Sequence, residues 1–261
     1  MKMEDLFVKL KIINDLSKII LKYLTSSHTK LLNGNSQETN MCTIIIYDPK
    51  LMVYMKKNLI YYYYKIFILC AKFGKLENMK WLLKNNYPYN EYLFEGAAEN
   101  GNLENMKWLL NKKMPCNTCT FMRTAENGNL KNMKWLLENK FPYDEKTFAY
   151  AAKNGNLENM KWLLENKFPY DSETFARAAG NGNLENMKWL LENNFPYNES
   201  VFTYATRNKN LEIMEWLLEN KFPYDCNTFA HAVYYRNRET VKWLFKNGFP
   251  YSQANELTIM R

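Results

Sequence analysis

The hydrophobic positions of this chain repeat every 27 residues over most of its length. One copy occupies residues 145–171 and reads EKTFAYAAKNGNLENMKWLLENKFPYD. Its first half places apolar residues at helical spacing: Phe148, Ala151 and Ala152. Its second half forms another helical stripe: Leu157, Met160, Leu163 and Leu164. Each copy therefore predicts two helices, a helix A over residues 146–154 and a helix B over residues 157–166.

Polar residues and glycine mark the predicted ends of these helices. Asp144 is the expected N-cap of helix A and Asn156 that of helix B, because their side chains accept hydrogen bonds from free amides. Gly155 is expected to end helix A, since glycine readily adopts a positive φ. Asn166 is expected to end helix B in the same left-handed geometry. Phe168 then precedes a proline, which prevents the helix from continuing.

The aromatic residues keep the same 27-residue step. All seven tryptophans follow it: Trp81, Trp108, Trp135, Trp162, Trp189, Trp216 and Trp243. Phenylalanines of helix A follow it too: Phe67, Phe94, Phe121, Phe148, Phe175, Phe202 and Phe229. A fixed period of this size is typical of a solenoid, in which each repeat is one supersecondary unit. The tryptophans are predicted to lie buried or half-buried between adjacent B helices; the alternative is an exposed aromatic ladder for a ligand.

The run TFAYAAKNGNLENMKWLL at residues 147–164 resembles the ankyrin motif, with two alanines, a glycine turn and an apolar helix ending in Leu-Leu. The resemblance covers about residues 64–252. An ankyrin repeat has about 33 residues, and the missing residues fall between Asp144 and Thr147, where ankyrins carry a β-hairpin finger. The resemblance therefore implies a finger-less variant, similar to repeat proteins that giant DNA viruses of amoebae encode in large numbers.

The predicted fold is all-α: an α-solenoid of ankyrin-like helix–turn–helix repeats that lack the β-hairpin finger, with a small, mostly helical N-terminal cap. Four segments follow: a helical head and loop at 1–48, a degenerate half-repeat at 49–63, seven repeats at 64–252, and a truncated C-terminal cap at 253–261. Residues 61–64 are expected to line a turn. The segment INDLSKIILKYL at 13–24 distantly resembles the first helix of an F-box, which docks on ubiquitin-ligase adaptors. The alternative is a plain amphipathic capping helix.

The net charge of +8 is concentrated near the start of the chain. Residues 1–75 contain 12 Lys and 5 Asp or Glu, a net charge of +7, whereas residues 76–261 contain 23 Lys or Arg and 22 Asp or Glu, a net charge of +1. The repeats are therefore nearly neutral, and nucleic acid is not an expected partner. The basic head is either a solvated segment or a surface for nucleic acid or a membrane.

The chain is expected to be a monomer of the cytoplasm, in the host cytoplasm if it is viral. Its five cysteines are an odd number, and no secretion signal is present. The longest apolar run contains Lys65 and is too short to span a membrane. Cys116 and Cys119 form a CxxC motif, but His28 and His231 are far from it in sequence, so no metal site is predicted. No cofactor and no catalytic residue are predicted either.

Positions that vary between copies define the candidate binding surface. On helix A, positions 146, 149, 150 and 153 are predicted to share one stripe, opposite the apolar face. The resemblance implies that helix A lines the concave face, through which ankyrin-like stacks bind proteins. The candidate partner-binding residues are Arg123, Lys146, Tyr150, Lys153, Arg177, Tyr204, Arg207 and His231. Arg and Tyr are common in interface hot spots, although ordinary drift of solvent-exposed positions would also produce variable columns.

We therefore expect a non-enzymatic scaffold that binds a partner protein through its concave helix-A face. The partner is unidentified, and would be a host protein if the chain is viral. One alternative is a substrate-recruiting adaptor of a host ubiquitin ligase, which would dock through the F-box-like N-terminus. Another is a structural component of a virion.

Overall fold

The computed structural model describes residues 60–73, 76–208 and 210–251. Within these ranges the elements are α1 Ile60–Phe73, α2 Leu76–Lys84, α3 Tyr92–Glu99, α4 Leu103–Asn111, α5 Cys119–Asn127, α6 Leu130–Glu138, α7 Glu145–Asn154, α8 Leu157–Glu165, α9 Ser172–Asn181, α10 Leu184–Glu192, α11 Ser200–Ala205, a 3₁₀ turn Thr206–Asn208, α12 Leu211–Glu219, α13 Cys226–Tyr234 and α14 Arg238–Lys246. No strand occurs in the described ranges, so the predicted all-α fold without a finger is confirmed. The head at 1–48, residues 49–59 and the cap at 253–261 lie outside them.

The chain divides into two compact units, Met1–Cys116 and Asn117–Arg261. Odd-numbered helices are helices A and even-numbered helices are helices B. In the first unit α1 packs against α3, and α2 packs against α4. In the second unit the helices A pack in the order α5, α7, α9, α11 and α13. This side-by-side packing of helix–turn–helix pairs is the arrangement of an α-solenoid.

The predicted helix starts are confirmed. The Asp144 carboxylate accepts a hydrogen bond from the amide of Lys146 at 3.1 Å. Its equivalents accept from the amide two residues ahead in the same way: Asn90, Asn117, Asp171, Asn198 and Asp225. Asn156 Oδ1 accepts from the amides of Glu158 and Asn159, at 2.9 and 3.3 Å. These bonds satisfy amides that have no partner within the first turn of a helix.

At Gly155, the turn between helix A and helix B favours glycine for two reasons. Gly155 ends α7 with φ 86°, a conformation that side chains disfavour. A Cβ at Gly155 would also lie only 2.6 Å from Asn181 Oδ1, which belongs to the next repeat. The Asn181 side chain donates to the carbonyl of Lys153 at 3.1 Å, so the missing Cβ allows adjacent repeats to approach.

The prediction that residues 61–64 line a turn is wrong. They lie inside α1, which begins at Ile60. The segment IYYYYKIFILCAKF contains neither glycine nor proline, so nothing in it interrupts the helix.

The prediction that Asn166 ends helix B in left-handed geometry is also wrong. Asn166 has φ −90° and ψ 11°, and the next residue, Lys167, takes the left-handed conformation with φ 58°. The amide of Phe168 donates to the carbonyl of Leu163 and that of Lys167 to Leu164, which is the bond pattern of a Schellman motif. The Asn166 amide side chain instead donates to the carbonyl of Trp162 at 2.8 Å.

The buried face of helix B differs from the predicted stripe. Met160 and Leu163 are fully buried as expected, but Leu157 and Leu164 are only half-buried. The third fully buried position is Asn159. Its Nδ2 donates to the carbonyl of Gly128 in the preceding repeat at 2.9 Å. Asn186 repeats this bond to the carbonyl of Gly155 at 2.7 Å, and Asn105 donates to the carbonyl of Ala71.

Three aromatic rings meet at each junction between repeats in the second unit. Around Phe148 of α7, the ring centroid of Tyr170 lies at 5.7 Å and that of Phe195 at 5.1 Å, and these two rings are 4.1 Å apart. The same triads recur: Phe121 with Tyr143 and Phe168, Phe175 with Tyr197 and Phe222, and Phe202 with Tyr224 and Phe249. Each triad joins a helix A to the turn that follows its own repeat and to the turn one repeat further.

The tryptophans are half-buried, as predicted. Trp162 contacts Phe168 of the turn that ends its own repeat, with ring centroids 5.7 Å apart. In the first unit, Trp108 of α4 borders a shallow cleft together with Leu83 and Lys84 of α2, so there the ring faces the adjacent helix B. The tryptophans therefore support the stack along its helices B.

Replacing Lys167 with Gly should stabilise the protein by about 0.5–1 kcal/mol, because glycine adopts the left-handed conformation without strain. Gly248 already occupies this position at the end of α14, with φ 72°. As a matched control, Lys161→Gly in the exposed interior of α8 should destabilise by about 1 kcal/mol. Urea unfolding of both variants measures the difference. A loss of stability in Lys167→Gly would contradict the assignment of the turn.

Asn159→Asp should destabilise the protein by more than about 2 kcal/mol, because it keeps the shape but replaces the buried donor to Gly128 with an acceptor. Asn166→Asp is the matched control, since its bond to the carbonyl of Trp162 is exposed, and should cost less than about 1 kcal/mol. Thermal and urea unfolding at neutral pH compare the two. Equal costs would show that the Asn159 bond does not hold the repeats together.

Candidate interaction surface

The accessible surface of the helices A is narrower than predicted. Ala149 is fully buried, and Ala176 at the equivalent position of α9 is buried as well. The prediction that position 149 lies on the variable stripe is therefore wrong. The reason is that α7 packs against a helix A on each side, α5 and α9, which covers both flanks of the helix. The variable surface is reduced to the positions of Lys146, Tyr150 and Lys153 and their equivalents.

Cations and aromatic rings alternate along this surface in the second unit. We call this set the cation–tyrosine ladder: Arg123, Glu126, Tyr150, Lys153, Glu173, Arg177, Tyr204, Arg207, His231 and Tyr235. Its members come from α5, α7, α9, α11 with the 3₁₀ turn, and α13 with its C-cap. Each member contacts at least one other member.

Glu126 ties the first two cations of the ladder together. Its carboxylate accepts from Arg123 Nη1 at 2.8 Å and from Lys153 Nζ at 2.5 Å. Partial burial would raise the pKa of Glu126, but the hydrogen bonds from Lys153 and Arg123 outweigh it and hold the pKa below its ordinary value. The carboxylate is therefore ionised at neutral pH, and both cations have a counter-charge.

Arg177 lies at the centre of the ladder between two tyrosines. Its guanidinium carbon is 4.9 Å from the centroid of the Tyr150 ring and 5.5 Å from that of Tyr204. Its Nε and Nη2 donate to Glu173 Oε1 at 2.9 and 2.6 Å. Lys153 also lies over Tyr150, at 5.3 Å. Stacking and ion pairing together hold these side chains in one arrangement.

Arg207 occupies the other end of the ladder. Its guanidinium lies 4.5 Å from the centroid of the Tyr204 ring and 5.6 Å from that of Tyr235. The Tyr235 ring in turn meets the edge of His231 at a centroid distance of 4.7 Å. Arg207 is exposed, whereas Tyr204 and His231 are half-buried.

His231 is held by Thr206. The Thr206 hydroxyl donates to the carbonyl of Thr203 at 2.7 Å and lies 3.0 Å from His231 Nδ1. Because the hydroxyl hydrogen is used on Thr203, Nδ1 carries the imidazole hydrogen and donates to Thr206 Oγ1. Burial and the nearby charge of Arg207 lower the pKa of His231 below its ordinary value. The imidazole is therefore neutral at pH 7.

The structure brings together seven of the eight predicted residues, all except Lys146. That residue is exposed in the first turn of α7, and no contact joins it to the ladder within the described ranges. The role of all eight residues in partner binding stays a prediction. Three members were not among the named candidates. Glu126 and Glu173 lie at the predicted stripe positions of Lys153 and Lys146, whereas Tyr235 lies outside the predicted stripe. The helical spacing of Glu173 and Arg177, four residues apart, is a signal that would have found one of them.

The remaining candidate chemistry is sparse. In the described ranges, no group of three or more His, Cys, Asp or Glu side chains is placed to hold a metal ion. In the CxxC motif Cys116 is a free thiol, and burial raises its pKa. Among the helices that are described, none is long and apolar enough to cross a membrane.

Comparisons with known proteins point to one family. The family model "Ankyrin repeats (3 copies)" matches residues 94–174 and 175–255, more than half of the chain. Among solved structures, the human ASB11 ankyrin repeat domain is similar over 60% of this chain and 84% of that domain, at 18% identity and a TM-score of 0.46. The pentatricopeptide repeat protein PPR10, solved with an 18-nt psaJ RNA element, is similar over 78% of this chain and 37% of that chain, at 9% identity and a TM-score of 0.37. No curated protein sequence matches.

The free energy of unfolding should decrease as the pH is lowered, on account of His231. Its pKa is lower in the folded protein than the ordinary value of 6.5, so the unfolded chain binds the proton more tightly. The corresponding stability is present above about pH 6.5 and is lost progressively as the pH falls through the folded pKa. Urea unfolding across this window should show a shallower loss for His231→Gln than for the native chain, while Tyr234→Phe keeps the native slope. Identical slopes for all three would contradict this role.

Proposed function

The chain belongs to the ankyrin repeat family, and we propose that it is a non-enzymatic scaffold that binds a partner protein through the cation–tyrosine ladder on its helices A. Ankyrin repeats are generally modules for protein–protein interaction. The observation that carries the proposal is the ladder itself, in which side chains from successive helices A form one continuous surface.

The composition of the ladder favours this function. Arg and Tyr are the residue types most often found in interface hot spots, together with Trp. Tyr150, Arg177 and Tyr204 are half-buried and already stacked, so binding a partner would immobilise few additional side chains. A surface that is pre-organised in this way loses little conformational entropy on association.

The contrast between columns of the repeat supports the same conclusion. Positions that build the stack keep their identity from copy to copy, such as Phe148 and Leu163 with their equivalents. Two positions of the helix-A surface change in nearly every copy. The column of Tyr150 reads Gly96, Arg123, Tyr150, Arg177, Tyr204 and His231, and the column of Lys153 reads Glu99, Glu126, Lys153, Gly180, Arg207 and Tyr234. A surface that distinguishes one partner from another needs such variation.

Substituting Arg123, Tyr150, Arg177 and Tyr204 with Ala should weaken binding of the partner at least about a hundredfold, since hot-spot residues each contribute more than about 1 kcal/mol. Proximity labelling in cells that express the chain identifies the partner, and purified proteins then give the affinity. The matched control replaces exposed helix-B lysines with Ala: Lys134, Lys161 and Lys188. The control should bind as the native chain does.

Circular dichroism and the melting temperature establish that each variant is folded. If the four-alanine variant is unstable, Arg123→Gln with Arg177→Gln removes the charges of the ladder while keeping more of its bulk. Native affinity in a folded ladder variant, or an equal loss in the helix-B control, would contradict the proposed function.

A further inference from the structure

Arg207 differs from the other cations of the cation–tyrosine ladder. Arg123 and Lys153 share the carboxylate of Glu126, and Arg177 is paired with Glu173. The contacts of Arg207 are instead with two rings, those of Tyr204 and Tyr235. Within the described ranges no carboxylate forms an ion pair with Arg207, so its positive charge faces solvent.

The 27-residue register explains why this cation has no counter-charge. Lys72 pairs with Glu99 at 2.6 Å, and Lys153 pairs with Glu126, so in both cases the carboxylate comes from the equivalent position one repeat away. For Arg207 the residues one repeat away are Gly180 and Tyr234. Neither residue carries a carboxylate.

The space beside Arg207 is shaped by the same two residues. A Cβ on Gly180 would lie 3.1 Å from Tyr204 Cδ1, so the absence of a side chain there makes room for the ring on which Arg207 stacks. Tyr234 is 78% exposed and points away from the core. The guanidinium is therefore supported by rings and open to a partner.

The surrounding elements favour an acidic occupant. Neither the segment SVFTYATRN at 200–208 nor the segment CNTFAHAVYYR at 226–236 contains Asp or Glu. Across the ladder, four cations of permanent charge face only two carboxylates. An approaching carboxylate would meet a local excess of positive charge at the Arg207 end.

We propose that Arg207, held between Tyr204 and Tyr235, binds a carboxylate side chain in an acidic segment of the partner protein. A guanidinium presents a planar set of N–H donors that matches a carboxylate in bidentate geometry. Stacking on the two tyrosines leaves the N–H edge free and fixes its direction before the partner arrives. This inference rests on the proposed function, because it assigns the chemistry of a partner to the same surface.

The test uses the full chain and two fluorescent peptides, a short Glu-rich peptide and its counterpart with Gln at each Glu. The basic first 75 residues would also attract the Glu-rich peptide, so the readout is the change in affinity on substitution. Arg207→Gln should weaken binding of the Glu-rich peptide about tenfold. Arg207→Lys, which keeps the charge but loses the bidentate fork, should give an intermediate loss. Lys161→Gln removes an exposed cation of a helix B, outside the ladder, and should change the affinity by less than about twofold.

A second variant supplies the missing carboxylate from within the chain. Tyr234→Glu places an acid one repeat from Arg207, the relation that joins Lys72 to Glu99 and Lys153 to Glu126. It should weaken binding of the Glu-rich peptide about as much as Arg207→Gln does, because an internal carboxylate competes with the external one. Tyr234→Gln is its neutral control: it removes the same ring, which meets that of Tyr235 edge-on, without adding a charge, and should change the affinity by less than about twofold.

Equal binding of the two peptides, or equal effects of Arg207→Gln and Lys161→Gln, would overturn the carboxylate assignment. Those outcomes leave the proposed function intact if the four-alanine variant still loses its protein partner. Retention of that partner by the folded four-alanine variant would instead overturn the proposed function, whatever the peptides show. A tenfold loss in Arg207→Gln and in Tyr234→Glu, with native binding in both controls, supports the assignment.

Discussion

The contact of three aromatic rings at each junction is the interaction on which the second unit depends. Phe148 and Tyr170 come from one repeat and Phe195 from the next, so no repeat completes this cluster alone. Aromatic side chains bury large apolar areas, and because these contacts cross between repeats, each copy needs its neighbour in order to be stable. Because the triad recurs without change, it fixes the spacing of successive helices A. The cation–tyrosine ladder follows from that spacing, since a side chain can meet its counterpart 27 residues away only if the helices are evenly placed.

Much of the fold could be predicted from the sequence, because the period aligns copies and lets each position be judged several times. The N-caps at Asp144 and Asn156 and the glycine turn at Gly155 were predicted correctly, since each depends on a local chemical preference. Asn159 was missed because a buried polar residue is indistinguishable from an exposed one until its partner is known. That partner, the carbonyl of Gly128, belongs to another repeat. Lys167, and not Asn166, adopts the left-handed conformation. The reason is that the hydrogen bonds of the Schellman motif, rather than the preference of the residue type, determine which residue has a positive φ.

The residue positions of the candidate surface could be predicted from the variation between copies, but the contacts between their side chains could not. Variation between copies indicated Tyr150, Arg177 and Tyr204, and these lie together in the ladder. Sequence spacing also placed position 149 on the surface, but Ala149 is covered by helices packed on both sides, which is a tertiary effect. The C-cap residue Tyr235 was not predicted, because its contact with Arg207 depends on how the end of α13 packs against the 3₁₀ turn.

The ladder also shows how one set of side chains divides between stability and recognition. A cation paired with a carboxylate of its own chain, such as Lys153 with Glu126, has satisfied its charge and offers a partner chiefly the apolar part of its side chain. Its ion pair must be broken before it can bind an external acid, and that loss offsets the gain. A cation stacked only on rings keeps its full charge available while its position is already fixed. Recognition of charge is therefore expected where the internal pairing stops. In this chain the pairing stops at Arg207, because glycine and tyrosine lie one repeat away from it, whereas Lys72 and Lys153 each have a glutamate one repeat away.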